Sequence, residues 1–278
     1  MKYKIVVDSC CELPEAYRHD GRFEFIPLGL EVGDYQIMDD ESFDQAEFLA
    51  QVAVCPTCPK SSCPSPEKYM EAYRTEAENI FVITLSAQLS GSYNSAVLGK
   101  NLYHEQYGEK NIFILDSQSA SSGETQYALK AMELQEEGLS FEDTVKGLEA
   151  FREEMKTYFI LDNLETLRKN GRLTGVKAMV VSTLNIKPIM YGDHGVIKQK
   201  SQAVGMKKAI IKLTDIMVSE VPDMADRTLM ISHCNCPDRA AFVRKELLSR
   251  TEVKDVIVMD TAGISSMYAN DGGIIVTI

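Results

Sequence analysis

Tryptophan is absent from the 278 residues, and only four are histidine. The scarcity of histidine matters more, because it is the side chain that most often moves protons near neutral pH. No stretch of about 18 uncharged apolar residues occurs, and the apolar run in the opening MKYKIVVDSCCELP is too short for a signal peptide. The expectation is a soluble, cytoplasmic protein without stable membrane insertion. Positive charge is also in short supply. Lysine plus arginine number 29 against 41 for aspartate plus glutamate, a net charge of −12, which is the wrong sign for wrapping nucleic acid. Neither GxxxxGK[ST] nor GxGxxG is present, and Gln88-Leu-Ser90-Gly-Ser92 does not match the GxSxG elbow of serine hydrolases.

Seven cysteines are present: Cys10, Cys11, Cys55, Cys58, Cys63, Cys234 and Cys236. The count is odd and no secretion signal accompanies it, so a disulfide framework is not implied. Cys55-Pro-Thr-Cys58 has metal-knuckle spacing, yet Cys234-Asn-Cys236 is not a second CxxC. Free structural thiols are the favoured reading, and a zinc or redox pair stays open beside it. No metal or cofactor is expected.

With 45% hydrophobic and 25% charged residues the composition is that of a globular chain, long enough to bury a core in one or two domains. Tyr3 to Val7, Ile80 to Leu85 and Asn111 to Leu115 are short apolar runs suited to parallel strands buried on both faces. Ser65-Pro66 marks a helix start, and Ser140-Phe-Glu-Asp143 resembles a capping box ahead of Val145, Leu148 and Phe151. Up to residue 156 the order reads strand, helix, strand, helix, strand, helix. Beyond it, Ile186 to Tyr191 and Val196 to Lys200 form a hairpin about the turn Gly192-Asp193-His194-Gly195, where Asp and Gly supply the unusual backbone angles. Strands at Tyr158 to Leu161, Thr228 to Ser232, Val253 to Met259 and Gly273 to Ile278 alternate with helical stripes from Met206 and Asp238. The expected fold class is α/β: a wound, mainly parallel N-terminal domain over 1–156 and a C-terminal α+β domain with a mixed sheet over 157–278.

Ligands of wound sheets bind where strands end and helices begin. Three post-strand loops are rich in hydroxyls: Asp8 to Pro14, Ser86 to Ser95 and Asp116 to Gly123, and Ser61-Ser62-Cys63-Pro64-Ser65 adds more. Such loops suit an anion held by neutral donors, although each serine alone also suits a cap or turn. His19 and His104 sit in charged stretches. His233 follows a strand, where a site role and a structural hydrogen bond both remain possible readings.

The motifs, taken in order, resemble the DegV family of bacterial fatty-acid-binding proteins. They are Val7-Asp8-Ser9 with Leu13-Pro14, Lys60-Ser61-Ser62-Cys63-Pro64-Ser65-Pro66, Leu89-Ser90-Gly91-Ser92-Tyr93-Asn94-Ser95-Ala96, Leu115-Asp116-Ser117-Gln118-Ser119-Ala120-Ser121, Leu164-Glu165-Thr166-Leu167-Arg168-Lys169-Asn170-Gly171-Arg172 and Ile186-Lys187-Pro188-Ile189. The resemblance implies a long-chain fatty acid buried between two α/β domains. It also implies a non-enzymatic carrier that hands the acid to a fatty acid kinase. The family's carboxylate-binding hydroxyls fall on Ser61 and on the Ser90-Gly91-Ser92 turn, and its kinase-facing arginine falls on Arg172, expected at an exposed helix stop.

Two places depart from the family pattern. A terminal string that carries a histidine in the family is here Thr261 to Gly273, without histidine, where Ser265, Ser266, Tyr268 and Asn270 offer replacement donors or simply form a tight turn. The family's second basic position falls near Val204. The nominated ligand contacts are Ser61, Ser62, Ser90, Gly91, Ser92, Ser119, Ser266 and Tyr268, with Arg172 for the partner. The competing reading is an acyl-processing hydrolase or transferase using a serine in Ser90–Ser92, with His233 as base.

Overall fold

Runs such as Ile5-Val6-Val7 and Ile80-Phe81-Val82-Ile83 are apolar at every position, which suits a strand covered on both faces. The computed structural model, which describes residues 2–173 and 185–278, places them in that setting. The first part of the chain runs β1 (Tyr3–Asp8), α1 (Glu15–Arg18), β2 (Phe23–Ile26), β3 (Gly29–Val32), β4 (Tyr35–Met38), α2 (Gln45–Val54) and β5 (Lys60–Ser62). It continues with α3 (Pro66–Ala72), β6 (Asn79–Thr84), α4 (Ser92–Tyr107), β7 (Asn111–Asp116), α5 (Ser122–Glu136) and α6 (Phe141–Glu154). A four-stranded parallel sheet has the order β2-β1-β6-β7. Ile5, Val7, Phe81, Ile83 and Leu115 pack with Tyr127 and Ala131 of α5 and Leu148 of α6. Their neighbours Val6, Ile80, Val82 and Ile112 meet Tyr69, Tyr73 and Ala96 of the α3–α4 layer. Successive residues of one strand thus serve two cores.

The simple strand–helix alternation expected up to residue 156 needs correction. Strands β3, β4 and β5 form a separate antiparallel sheet of order β4-β3-β5, and α1, β2 and α2 also precede α3. These strands are three or four residues long, too short for hydrophobic periodicity to register.

The second part contains β8 (Thr157–Ile160), α7 (Glu165–Lys169), β9 (Ile186–Asp193), β10 (Val196–Val204), α8 (Met206–Glu220), β11 (Thr228–His233), α9 (Pro237–Leu248), β12 (Asp255–Asp260), α10 (Gly263–Ala269) and β13 (Ile274–Thr277). Its six-stranded sheet has the order β10-β9-β8-β13-β11-β12, with β11 and β12 parallel and the other pairs antiparallel. Ile160, Ile189, Leu229, Ile231 and Val276 bury one face against Leu213 and Met217 of α8 and Val243 and Leu247 of α9. Phe159, Met190 and Ile197 belong to the opposite face. Helix α5, packed on the parallel sheet through Tyr127 and Ala131, also touches the six-stranded one: Gln126 Nε2 donates to the Thr228 carbonyl at 2.8 Å, and Thr277 Oγ1 donates to Ser122 Oγ at 3.2 Å.

Two expectations shift here. The hairpin turn is the pair His194–Gly195, with φ of 48° and 82°, while Gly192 and Asp193 remain in β9 opposite Ile197 and Val196. A two-residue loop with both residues left-handed matches the twist of the strands, so the ladder continues to the last residue before it. Residues 261–273 are not merely a turn, because they contain α10, of which Gly263 to Met267 and Ala269 are buried. A helix covered nearly all round shows no polar stripe, and its sequence gave no amphipathic signal.

Helix α6 matches its expected start, with Ser140 Oγ accepting from the Asp143 amide at 3.1 Å. Ser140→Ala is expected to cost about 1 kcal/mol and Leu148→Ala, fully buried, about 3 kcal/mol in urea unfolding. A larger loss for Ser140→Ala than for Leu148→Ala would show that the cap, and not packing, dominates this helix.

Candidate functional site

The carboxyl ends of the parallel strands are organised by aspartates. Asp8, last in β1, accepts from the amides of Cys10 and Leu85 at 3.2 and 3.0 Å and from Ser92 Oγ at 2.6 Å. Asp116, last in β7, accepts from the amides of Ala87 and Gln118, both at 3.0 Å. The loops after β6 and β7 are therefore pinned to neighbouring strand ends. Over these loops, against the six-stranded sheet and α10, lies a cavity of about 360 Å³. Its walls are mainly apolar, among them Leu28, Leu85, Leu89, Phe159, Leu161 and Ile197.

Polar groups gather at two places in the lining. In the first, Ser61 Oγ and Tyr268 Oη are 3.0 Å apart, with Ser62, Cys63, Ser90 and Gly91 also in the wall. Arg172 stands beside them, its guanidinium 5.8 Å from the Tyr268 ring centroid. It donates to the carbonyls of Leu89 at 3.1 Å and Asn170 at 2.5 Å. Among the described lining residues it is the only charged one. In the second place Ser119 Oγ and Thr157 Oγ1 are 2.7 Å apart, next to Gln118, Gly192 and Gly195. An apolar cavity with hydroxyls and one cation in its described wall suits an amphipathic carboxylate.

The DegV family profile matches residues 2–277. The chain belongs to the DegV family. A family member from Ruminococcus gnavus, solved with vaccenic acid, is 52% identical over the full length of both chains, with a TM-score of 0.98. The Fatty Acid Kinase (Fak) B3 protein of Streptococcus pneumoniae, loaded with linoleic acid, is 31% identical with a TM-score of 0.89, covering 100% of this chain and 99% of that one. A DegV domain-containing protein of the same species is 32% identical over 99% of this chain and 98% of its own length. The resemblance read from the ordered motifs is thus borne out, as is the α/β class.

The structure sorts the nominated residues. Ser61, Ser62, Ser90, Gly91 and Tyr268 share the first polar place. Ser119 lines the cavity at the second place, with its hydroxyl engaged by Thr157. Ser92 lies behind the wall: it is fully buried, bonded to Asp8 and 2.6 Å from Tyr69 Oη. Ser266 also faces away, bonded to Thr261 Oγ1 at 2.8 Å and receiving Gln45 Nε2 at 3.2 Å, while its neighbour Ser265 lines the cavity. Arg172 is half-buried and in the wall, not on an exposed helix stop. His233 is not in the wall, and its Nδ1 lies 3.2 Å from Asp260 Oδ1. Cys58 accepts from Asn170 Nδ2 at 3.4 Å, and no cluster suited to a metal occurs among the described residues.

Sequence reasoning missed the role of four buried carboxyl groups beneath the cavity: Asp8, Glu12, Asp39 and Glu124. Among the described residues none makes an ion pair. Burial pushes Glu124 well above the usual carboxyl range, with the nearby Asp8 charge acting in the same direction. Burial also raises the Cys10 thiol, followed by the charge of Glu124, which argues against Cys10 as a nucleophile. Glu12 is pushed up to about 7 and Asp39 to about 6, burial again leading in both. The signal available in the sequence was an acidic residue at a strand end or among small residues, which is also common on surfaces.

In the fold Glu12 keeps its proton up to about pH 7, whereas in the unfolded chain it loses it near 4.5. Stability is therefore highest below the lower value and declines as pH rises through the window, by about 3 kcal/mol for this group. Glu12→Gln is expected to flatten the fall in melting temperature between pH 5 and about 8. An unchanged profile would show that Glu12 does not titrate in that range.

Proposed function

We propose that this chain is a non-enzymatic carrier that holds a long-chain fatty acid in the cavity and presents it to a fatty acid kinase. The observation that carries this reading is the apolar cavity whose one charged lining residue, Arg172, stands next to the Ser61–Tyr268 hydroxyl pair. Relatives solved with vaccenic and linoleic acids support it. Burying about fourteen methylenes is worth about 11 kcal/mol before entropy losses, at 0.8 kcal/mol each. On this reading the carboxylate lies at Ser61, Ser62, Ser90, Gly91 and Tyr268, and the tail runs toward Phe159 and Ile197. The ligand sits between two domains, 1–156 and 157–278, and the protein works in the cytoplasm without nucleic acid. No helix among the described residues is long and apolar enough to cross a membrane.

Arg172 takes a different part from the one expected of it. A half-buried guanidinium whose N–H groups meet only carbonyls in the described structure is a ready counter-charge for the carboxylate, at the rim where a kinase would reach the head group. The hydrolase reading gains no support, because His233 lies outside the described cavity wall and a serine nucleophile needs its base within about 3 Å.

Protein purified from a bacterial host is expected to carry an acid of roughly sixteen to eighteen carbons in native mass spectrometry, since a tail of that length supplies the apolar burial. Ser61→Ala and Arg172→Ala should each weaken oleate binding by about 1 to 3 kcal/mol, the usual loss for a hydrogen bond to a charged group. Repeated extraction without lipid, together with no uptake of added oleate, would sink the carrier reading.

A further inference from the structure

Helix α10 is held to one small sheet at both of its ends. Ser61 in β5 meets Tyr268 Oη at 3.0 Å, and Asp39, the residue after β4, takes the other end. Its Oδ1 accepts from the Gly263 amide at 2.7 Å and its Oδ2 from the Ile264 amide at 2.8 Å. The Asp39 amide donates to the Leu28 carbonyl at 2.9 Å, which fixes the carboxylate relative to the sheet. A Cβ on Gly263 would lie 2.6 Å from both Asp39 Oδ1 and Leu30 Cδ1, so the contact exists only because this position is glycine. Asp39 is 4% exposed, lies near Asp8, Glu12 and Ser9, and makes no ion pair among the described residues. An isolated carboxylate in that setting is costly unless hydrogen-bonded, and the two amides of α10 do that work. Between the two anchors, Ile264, Ser265, Tyr268 and Ala269 line the cavity.

We propose that Asp39 is a positioning residue for the head-group site: by holding the first turn of α10 to the sheet that carries Ser61, it fixes Tyr268 Oη where the ligand's carboxylate is received. The inference rests on the carrier reading for its ligand, and on geometry alone for the anchor. Asparagine at this position has the same shape, but its amide nitrogen cannot accept from a backbone N–H. One of the two anchoring bonds is therefore lost and the helix can tilt.

Two measurements on Asp39→Asn test this. In ligand-free protein, exchange of the Gly263 and Ile264 amides should speed up about tenfold or more, the effect expected from losing a hydrogen bond to a charged acceptor. In binding assays the variant should lose about tenfold for oleate and little for oleyl alcohol, which lacks the charge that the head-group site is arranged to receive. Adding Tyr268→Phe to Asp39→Asn should cost little more, because both act on one contact. Gly263→Ala, which pushes α10 away from Asp39 from the other side, should reproduce the pattern if Asp39→Asn folds poorly. Unchanged exchange, equal losses for acid and alcohol, or full additivity with Tyr268→Phe would overturn the proposal. Should the unaltered protein bind neither ligand, the carrier reading falls, and the exchange rates still decide the anchor.

Discussion

The Asp8 carboxylate is the contact on which the cavity depends. It ends β1 with no exposed surface, and it gathers the Leu85 amide from the end of β6 and Ser92 Oγ from the start of α4. Ser92 in turn meets Tyr69 Oη, which ties α3 to the same point. Burying a carboxylate without a cation is expensive, and three hydrogen bonds offset the cost only while β1, β6 and α4 hold their relative places. The segment Ser86–Gly91, which supplies Ser90 and Gly91 to the wall, is suspended between the two groups that Asp8 grips. Buried Glu124 sits close by with its carboxyl pushed toward the neutral form, and a protonated neighbour relieves Asp8 of a like charge.

This arrangement explains what could be read from the sequence. Strands β1, β6 and β7 were legible because each carries an unbroken apolar run, Ile5 to Val7, Ile80 to Ile83 and Ile112 to Leu115. The hairpin was legible because its turn needs Gly195. The β3-β4-β5 sheet was not, since three or four residues cannot establish a period, and α10 was not, since a helix buried nearly all round lacks a contrasting face.

The serine-rich strings pointed to loops that line the cavity, but which hydroxyl faces into it is a matter of local backbone phase. Ser90 precedes α4 and lines the cavity, while Ser92 opens the helix and turns into the Asp8 network. Ser265 and Ser266 are adjacent on α10, so only one of them can look into the cavity. Arg172 was misplaced because a Gly171 stop suggests an exposed chain, whereas the chain turns inward there and the Arg172 amide bonds the Leu167 carbonyl at 2.8 Å.

On the carrier reading the head-group end does without a histidine, and Tyr268 and Arg172 are the groups available in its place. Tyr268 is buried enough to raise its hydroxyl above the usual value, against the opposing pull of Ser61 and Arg172. It therefore stays a phenol and a hydrogen-bond donor at neutral pH. Hydroxyls can donate to a carboxylate or to an alcohol or ester oxygen, and the bond to the charged acceptor is the stronger of the two. On the same reading the choice of an ionised acid falls chiefly to Arg172, the one full charge in the described wall. For a long-chain acid in such a cavity the tail would supply most of the affinity, because each methylene adds about 0.8 kcal/mol while a single head-group bond adds about 1 to 3. In such a site the apolar wall sets how tightly a chain is held, and a few polar groups at one end set which end of the chain faces out.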